Sequence, residues 1–342
     1  MIFLQKILLL LKIILLFIIF SLINPIYANT LDDVKKRGYV NCGVAEDFLG
    51  FAVPNDKGEW EGFDVDLCRA VSVAIFGNQN SVNFIPTNTR SRFPLLAFGD
   101  IDLLIRNTTW SYSRDINLEF DFVGTNFYDG QAFITSKSLE INSVKDLDGA
   151  SICVNSGTSN ELNTKIFFDK NLIKFKPVLA STFKESLNLY IKGACDAYTA
   201  DLSVLAASKL QIPDSYNHII LPEIISREPL GPLVRHNDNN WGDLIRWTLY
   251  VLIIAEEKSI NSENIDEYIN SVDSEILRLL GEVGTYGDML ELDNKWAYNI
   301  IKQMGNYATI YEKNLGKKTI LGLDRGMNNL WINGGMLYAP PF

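Results

Sequence analysis

Residues 101–114 read IDLLIRNTTWSYSR, an apolar run that ends at one arginine and passes into a polar stretch closed by another. The apolar half predicts a buried strand over 101–105, and the polar half a loop at its carboxyl end. In open α/β sheets that edge is where ligands bind. The same grammar extends outward in both directions. Before this segment come a short helix over 31–37, a strand over 39–44, a helix over 63–76, a strand over 82–85 and a helix over 92–98. After it the pattern restarts, with strands over 131–135, 151–154, 174–178 and 196–199. These alternate with helices over 161–168, 182–192 and 202–210, and with a helical turn over 144–147. Such alternation predicts α/β layers. The two successions flank residues 127–131, and a return segment over 219–233 carries Pro222, Pro229, Gly231 and Pro232. Two lobes joined by two crossing segments is the simplest architecture. After Asn240 the chain turns mainly helical, over 241–257, 265–269, 275–280, 296–304 and 307–315.

Length agrees with two lobes: 342 residues exceed the roughly 250–300 at which single cores stop growing. An apolar fraction of 47% excludes a disordered chain. A net charge of −10 argues against nucleic acid as a partner, because phosphate binding needs clustered positive charge. Two histidines, His218 and His236, leave a multi-histidine metal site without ligands, and neither a metal nor a cofactor is expected. Met1–Ala28 contains Lys6 and Lys12, no acid, a long apolar centre, a break at Asn24-Pro25 and a small residue at Ala28. That order predicts a cleaved secretory signal peptide. Cleavage removes two lysines and takes the charge from −10 to −12. Export also changes the meaning of Cys42, Cys68, Cys153 and Cys195, which enter an oxidising compartment. Four cysteines allow three pairings. One bridge per lobe is favoured, with Cys42 to Cys68 stapling a βα unit and Cys153 to Cys195 joining neighbouring strands. Each would stabilise by about 3–4 kcal/mol in the chain-entropy model.

Four polar clusters fall after predicted strands. Arg106–Arg114 supplies two guanidinium forks and the hydroxyls of Thr108 and Thr109, all donors suited to a carboxylate. Asn155-Ser156-Gly157-Thr158-Ser159 leads into a helix N-terminus, whose free N–H groups face an anion or are simply capped. Asp201 follows a strand and can accept from an ammonium, or cap the next helix. Thr87–Arg92 forms the fourth cluster. Donors for a carboxylate and an acceptor for an ammonium, drawn from both halves, match a free α-amino acid. No nucleophile–base arrangement or paired catalytic carboxylates accompany them. Asp64 and Asp66 read as helix-start residues.

These clusters resemble a known family, the general L-amino-acid-binding proteins of polar amino acid ABC transporters, within the bacterial family 3 solute-binding proteins. The marks are Gly62–Cys68 (GFDVDLC), Arg106–Trp110 (RNTTW), Ile152–Val154 with Ser156–Thr158 (SGT), residues 219–231 (IILPEIISREPLG) and Tyr338–Pro341 (YAPP). The resemblance implies a type II periplasmic binding protein fold, α/β and two-lobed, with two crossing hinge strands and here a helical C-terminal extension. It implies lobe 1 over 29–130 and 225–342, and lobe 2 over 131–224. It also implies a monomeric periplasmic receptor, not an enzyme, that hands free L-amino acids to membrane permease subunits. By motif, Arg114 matches the clamp for the ligand carboxylate. Thr109, Asn107 and Thr158 match its helpers, and Asp201 matches the partner of the ammonium. Thr89 and Arg92 resemble a pair that contacts acidic ligand side chains in glutamate/aspartate binders. Those binders carry a further arginine where this chain has Ala45, which points to broader specificity. Phe48 matches an aromatic lining the pocket. The alternative on this fold is a dehydratase acting on a prephenate-like acid. Compared with shorter members, residues 255–300 look inserted.

Overall fold

The computed structural model describes residues 29–342, so the expected signal peptide over residues 1–28 lies outside the described residues. Strands in chain order are β1 Val40–Ala45, β2 Val53–Pro54, β3 Trp60–Glu61, β4 Val82–Thr87, β5 Leu103–Leu104, β6 Phe120–Phe122 and β7 Phe127–Asp129. They continue as β8 Gln131–Ser136, β9 Ser151–Asn155, β10 Lys176–Ala180, β11 Ala197–Asp201, β12 His218–Ile220, β13 Glu228–Leu230 and β14 Leu233–Arg235. They build two five-stranded sheets, ordered β4-β1-β5-β14-β6 and β10-β9-β11-β8-β12. Each has three parallel strands at one side, then an antiparallel strand, β14 in the first and β8 in the second. The parallel strands β1, β9 and β11 are buried almost throughout, as sheets covered by helices on both faces require.

Between the sheets the chain crosses twice, and the crossings pair with each other. β7 and β13 run antiparallel, with Asp129 opposite Glu228, Tyr128 opposite Pro229 and Phe127 opposite Leu230. The structure is thus the two-lobed α/β type expected from the sequence. Element limits shift by a residue or two, with physical reasons. The strand expected over 101–105 narrows to Leu103–Leu104, although Asp102 and Ile105 still donate to Asn41 and Gly43 on β1. The strand expected to end at Thr199 continues through Asp201, because Asp201 pairs with Gln131 on β8.

The helix Phe63–Phe76 starts at Gly62, whose φ of 136° and position against Phe51 exclude a side chain: a Cβ there would sit 2.2 Å from the Phe51 carbonyl oxygen. Asp64 and Asp66 stand in its first turn. Asp66 is buried, and both Arg69 (3.0 Å) and Lys313 (2.8 Å) pair with it. The C-terminal portion packs on this helix. Helix Asn239–Glu257 runs 19 residues and buries Trp241, whose Nε1 donates to the Asp102 carbonyl at 3.0 Å. Helices Trp296–Met304 and Tyr307–Asn314 lie against Phe63–Phe76 as well. The stretch 255–300, which reads as inserted, buries Ile260, Ile265, Ile276, Leu279 and Trp296 in the same apolar cluster as Phe63 and Val71 of that helix. No helix among the described residues is long and apolar enough to cross a membrane.

Both cysteine pairs are bonded as expected. Cys42 on β1 joins Cys68 on the helix Phe63–Phe76, with Cα atoms 6.2 Å apart at a sequence separation of 26. Cys153 on β9 joins Cys195 just before β11, with Cα atoms 5.7 Å apart across 42 residues. Loops of this length predict a loss of about 3–4 kcal/mol per bridge on reduction, by the chain-entropy model. Urea unfolding with and without reductant measures it. Coincident transitions would contradict a stabilising role for either bridge.

Candidate functional site

The carboxyl ends of the two sheets face each other across a cleft. On the first side, residues 106–109 leave β5 buried rather than solvated. The main chain accounts for this: Trp110 N–H donates to the Pro229 carbonyl at 2.7 Å, and Gly231 N–H to the Thr108 carbonyl at 3.2 Å. Trp110 also stacks on Phe122 at 5.5 Å between ring centroids. The loop is therefore bonded to the second crossing strand. The short helix Tyr112–Asn117 follows, and Arg114 turns back so that Nη1 donates to the Thr109 carbonyl at 2.9 Å.

On the second side, β9 turns into helix Ser159–Lys170 through Gly157, which sits at φ 75°. Thr158 caps this helix. Its hydroxyl accepts from Glu161 N–H at 3.3 Å and gives its own proton to the Asn155 carbonyl at 2.6 Å. Asp201, at the end of β11, makes no side-chain cap to its helix and accepts from Asn160 Nδ2 at 2.8 Å. Contacts across the cleft include Thr109 with Ser159 at 3.1 Å, Arg90 with Ser181 at 3.1 Å, and Lys184 with Asp47 at 3.6 Å.

Of the eight residues the sequence singles out, seven line one inner cavity: Thr89, Arg92, Asn107, Thr109, Arg114, Thr158 and Asp201. Ser159, Asn160 and Phe183 join them. The cavity is closed down to about 10 Å³, space for about one water. Phe48 does not line it. Its ring is buried and stacked on Phe51 at 4.3 Å, and it meets the cavity only through Phe183, 6.5 Å away. The aromatic at the cavity wall is thus Phe183, from the opposite lobe.

One central residue escapes the sequence reading. Glu228 is wholly buried and accepts four hydrogen bonds: Thr109 Oγ1 (2.5 Å), Ser159 Oγ (2.9 Å), Asn163 Nδ2 (2.7 Å) and Ser226 Oγ (2.5 Å). Its only sequence signal is its place in the proline-rich return IILPEIISREPLG.

The electrostatics divide by side. Arg92, Arg106 and Arg114 come from the side of the first sheet, and burial lowers the pKa of each, Arg106 to about 10. Glu228 and then Asp201 act against that shift at Arg114. Asp129, Asp201 and Glu228 gather where the crossing strands meet the second sheet. Burial, then Glu228 and Asp129, push Asp201 well above the usual carboxylate range. Burial raises Asp129 to about 6, with Glu228 adding to it. Two guanidinium donors of Arg92, Nε and Nη2, are buried without a partner, while its Nη1 donates to Thr108 Oγ1 at 3.2 Å. A zwitterion fits this division: an anionic end toward the arginines and a cationic end toward Asp201.

Known proteins share this architecture closely. The chain is 48% identical over 316 residues to the glutamate/glutamine/aspartate/asparagine-binding protein BztA of Rhodobacter capsulatus, covering 92% of this chain and 94% of that one. It is also 48% identical to the general L-amino acid-binding periplasmic protein AapJ of Rhizobium johnstonii, over 92% of this chain and 93% of that one. A solved ABC transporter periplasmic binding protein from Brucella ovis, with glutathione bound, superposes with a TM-score of 0.89 at 47% identity, covering 92% of this chain and 99% of that chain. The family model for bacterial extracellular solute-binding proteins, family 3, matches residues 40–317, and the chain belongs to that family.

Proposed function

We propose that this chain is a periplasmic receptor that captures free L-amino acids of broad kind between two lobes and delivers them to the permease subunits of an ABC transporter. In this reading Met1–Ala28 is the cleaved signal peptide, lobe 1 comprises residues 29–130 and 225–342, lobe 2 comprises residues 131–224, and the receptor acts as a monomer. The observation that carries it is the meeting of half-buried Arg114 and buried Asp201, from opposite sides of the cleft, at one cavity. The names of the Rhodobacter and Rhizobium relatives support the ligand class. The family is one of solute-binding proteins, which removes the ground for a dehydratase.

Each residue then has a physical part. The ligand carboxylate takes the Arg114 fork, helped by main-chain groups at Asn107, Thr109 and Thr158; the Thr109 hydroxyl proton is held by Glu228. Thr158 acts through its N–H, because its hydroxyl proton is held by Asn155. The ligand ammonium replaces Asn160 or joins it at Asp201. Thr89 and Arg92 meet the ligand side chain, and Phe48 acts only by buttressing Phe183. Glu228 is a positioning residue that orients Thr109 and Ser159 together. A ligand that touches both lobes binds the closed form better than the open one, and that difference in affinity draws the lobes shut.

Calorimetry of the mature protein against the twenty amino acids tests the reading. Binding of several is expected, and silence across the panel overturns it. Arg114→Ala should cut affinity at least tenfold, the scale set by charge-assisted bonds of about 1.5–3 kcal/mol. Near-normal binding by that variant would remove the assignment of the clamp. Asp201→Asn should weaken binding in the same assay.

The acid cluster predicts a pH dependence of stability. Folding raises Asp129 from 3.8 to about 6, so the native state holds a proton that the unfolded chain gives up between those values. This contribution to stability is complete below the lower value and is lost as pH rises through the higher one. The stability of the wild type relative to Asp129→Asn should therefore fall between about pH 4 and pH 7. Parallel profiles of urea midpoint against pH would contradict it.

A further inference from the structure

Beside the inner cavity the cleft opens into a second chamber of about 440 Å³. The two share Thr89 and Phe183. The chamber lies at the size of sites that take whole small molecules, roughly 300–1,000 Å³. Ala45, at the end of β1, leaves room on one wall.

Two further lining residues stand out because their polar atoms are unanswered. Arg106 is 3% exposed. It uses Nη2 for Asn107 Oδ1 at 3.3 Å, while Nε and Nη1 have no partner. Asp64 and Glu46 steady its charge, and neither forms a hydrogen bond to it among the described residues. Asn155 is 2% exposed, and neither its Nδ2 nor its Oδ1 has a partner. Buried polar atoms left unpaired cost about 1–3 kcal/mol each, and folded proteins keep few of them. Four such atoms at one chamber call for a ligand that answers them.

The chemistry of that ligand follows from the atoms. Two free guanidinium donors suit a carboxylate. A free amide oxygen beside a free amide nitrogen suits another amide, which donates to one and accepts from the other. Arg106 follows β5 of the first sheet and Asn155 ends β9 of the second, so a group held by both spans the cleft, as a ligand of the inner cavity does.

We propose that the chamber is a second subsite, in which Arg106 and Asn155 receive the distal carboxylate and the amide link of an amino acid extended through its side chain, as in a γ-linked glutamyl dipeptide. This rests on the amino-acid reading, with the α-amino and α-carboxyl groups in the inner cavity. Arg106 then gains acceptors for its two free donors, and Asn155 gains both partners at once.

Calorimetry with L-glutamate and with γ-L-glutamylglycine tests it, on the mature wild type, Asn155→Ala and Arg106→Lys, each checked by thermal melting. The wild type should bind the dipeptide at least as tightly as glutamate. Asn155→Ala should lose tenfold or more for the dipeptide and a clearly smaller factor for glutamate, which keeps only the carbonyl side of the link. Arg106→Lys, which keeps the charge and loses the fork, should show the same split. A wild type that binds glutamate and ignores the dipeptide overturns the subsite and leaves the receptor reading standing. Equal losses for both ligands in both variants overturn it as well, and mark the two residues as structural. Failure to bind any amino acid overturns the receptor reading and the subsite with it.

Discussion

A carboxylate with no access to water must be answered by donors, and Glu228 draws its donors from both sides of the cleft. Thr109 reaches it from the first sheet, Ser159 and Asn163 from the helix that follows β9, and Ser226 from its own crossing segment. Because Glu228 sits on β13 opposite Asp129 of β7, this network lies at the joint between the lobes. A hydrogen bond to a charged acceptor is worth about 1.5–3 kcal/mol, and an unanswered buried charge costs more. Parting the lobes separates Thr109 from Ser159, so the carboxylate couples the geometry of the inner cavity to the state of the hinge. The residues proposed to hold the ligand are those that this one acid orients.

The charge distribution makes the same joint sensitive to what enters the cleft. Three arginines on one side and three acids on the other are each crowded with like charge in a dry environment. Arg92 is lowered by burial first and then by Arg106 and Arg114, and Asp201 is raised by burial first and then by Glu228 and Asp129. Each set lacks its counter-charge in the right place, although the two sets nearly cancel in the total. A zwitterion placed between them supplies an anion to the arginines and a cation to the acids. An uncharged solute of the same size would satisfy neither. Selection for the α-amino-acid frame can thus be strict while the side-chain end, bounded by small Ala45 and the large chamber, stays permissive.

Much of this was legible in the sequence because strands and loops write locally. The run IDLLI followed by RNTTWSYSR announces a buried strand and a polar exit, and the cavity residues Asn107, Thr109 and Arg114 all lie in that exit. Asp201 and Thr158 were visible for the same reason, each at the end of a strand. What stayed hidden depends on contacts between distant segments. Glu228 looks like one more acid in a proline-rich stretch until β13 pairs with β7 and brings Thr109, 119 residues away, onto its oxygen. Arg106 and Asn155 fall in polar clusters that the sequence marks, but nothing local shows that their side chains are buried without partners. Phe48 carries an aromatic signal that the fold spends on Phe51, while Phe183 from the other lobe takes the cavity wall.

The C-terminal helical portion bears on how such a hinge can work. Asn328 holds Tyr128 of β7 from both sides, accepting from its N–H at 2.7 Å and donating to its carbonyl at 3.0 Å. Tyr307 donates to the Asn126 carbonyl at 2.7 Å, and Phe127 stacks against Tyr311. Arg325 lies over both tyrosine rings, about 5 Å from each centroid, and is paired to Glu256 at 3.0 Å. The first crossing strand is therefore fastened to the first lobe as far as Tyr128. Beyond that point come Asp129 and Gly130 on one crossing, with Ser226 on the other. Those positions flank the Glu228 carboxylate. The C-terminal helical portion thus holds the first crossing strand up to the residue before Asp129, the first of the acids at the site.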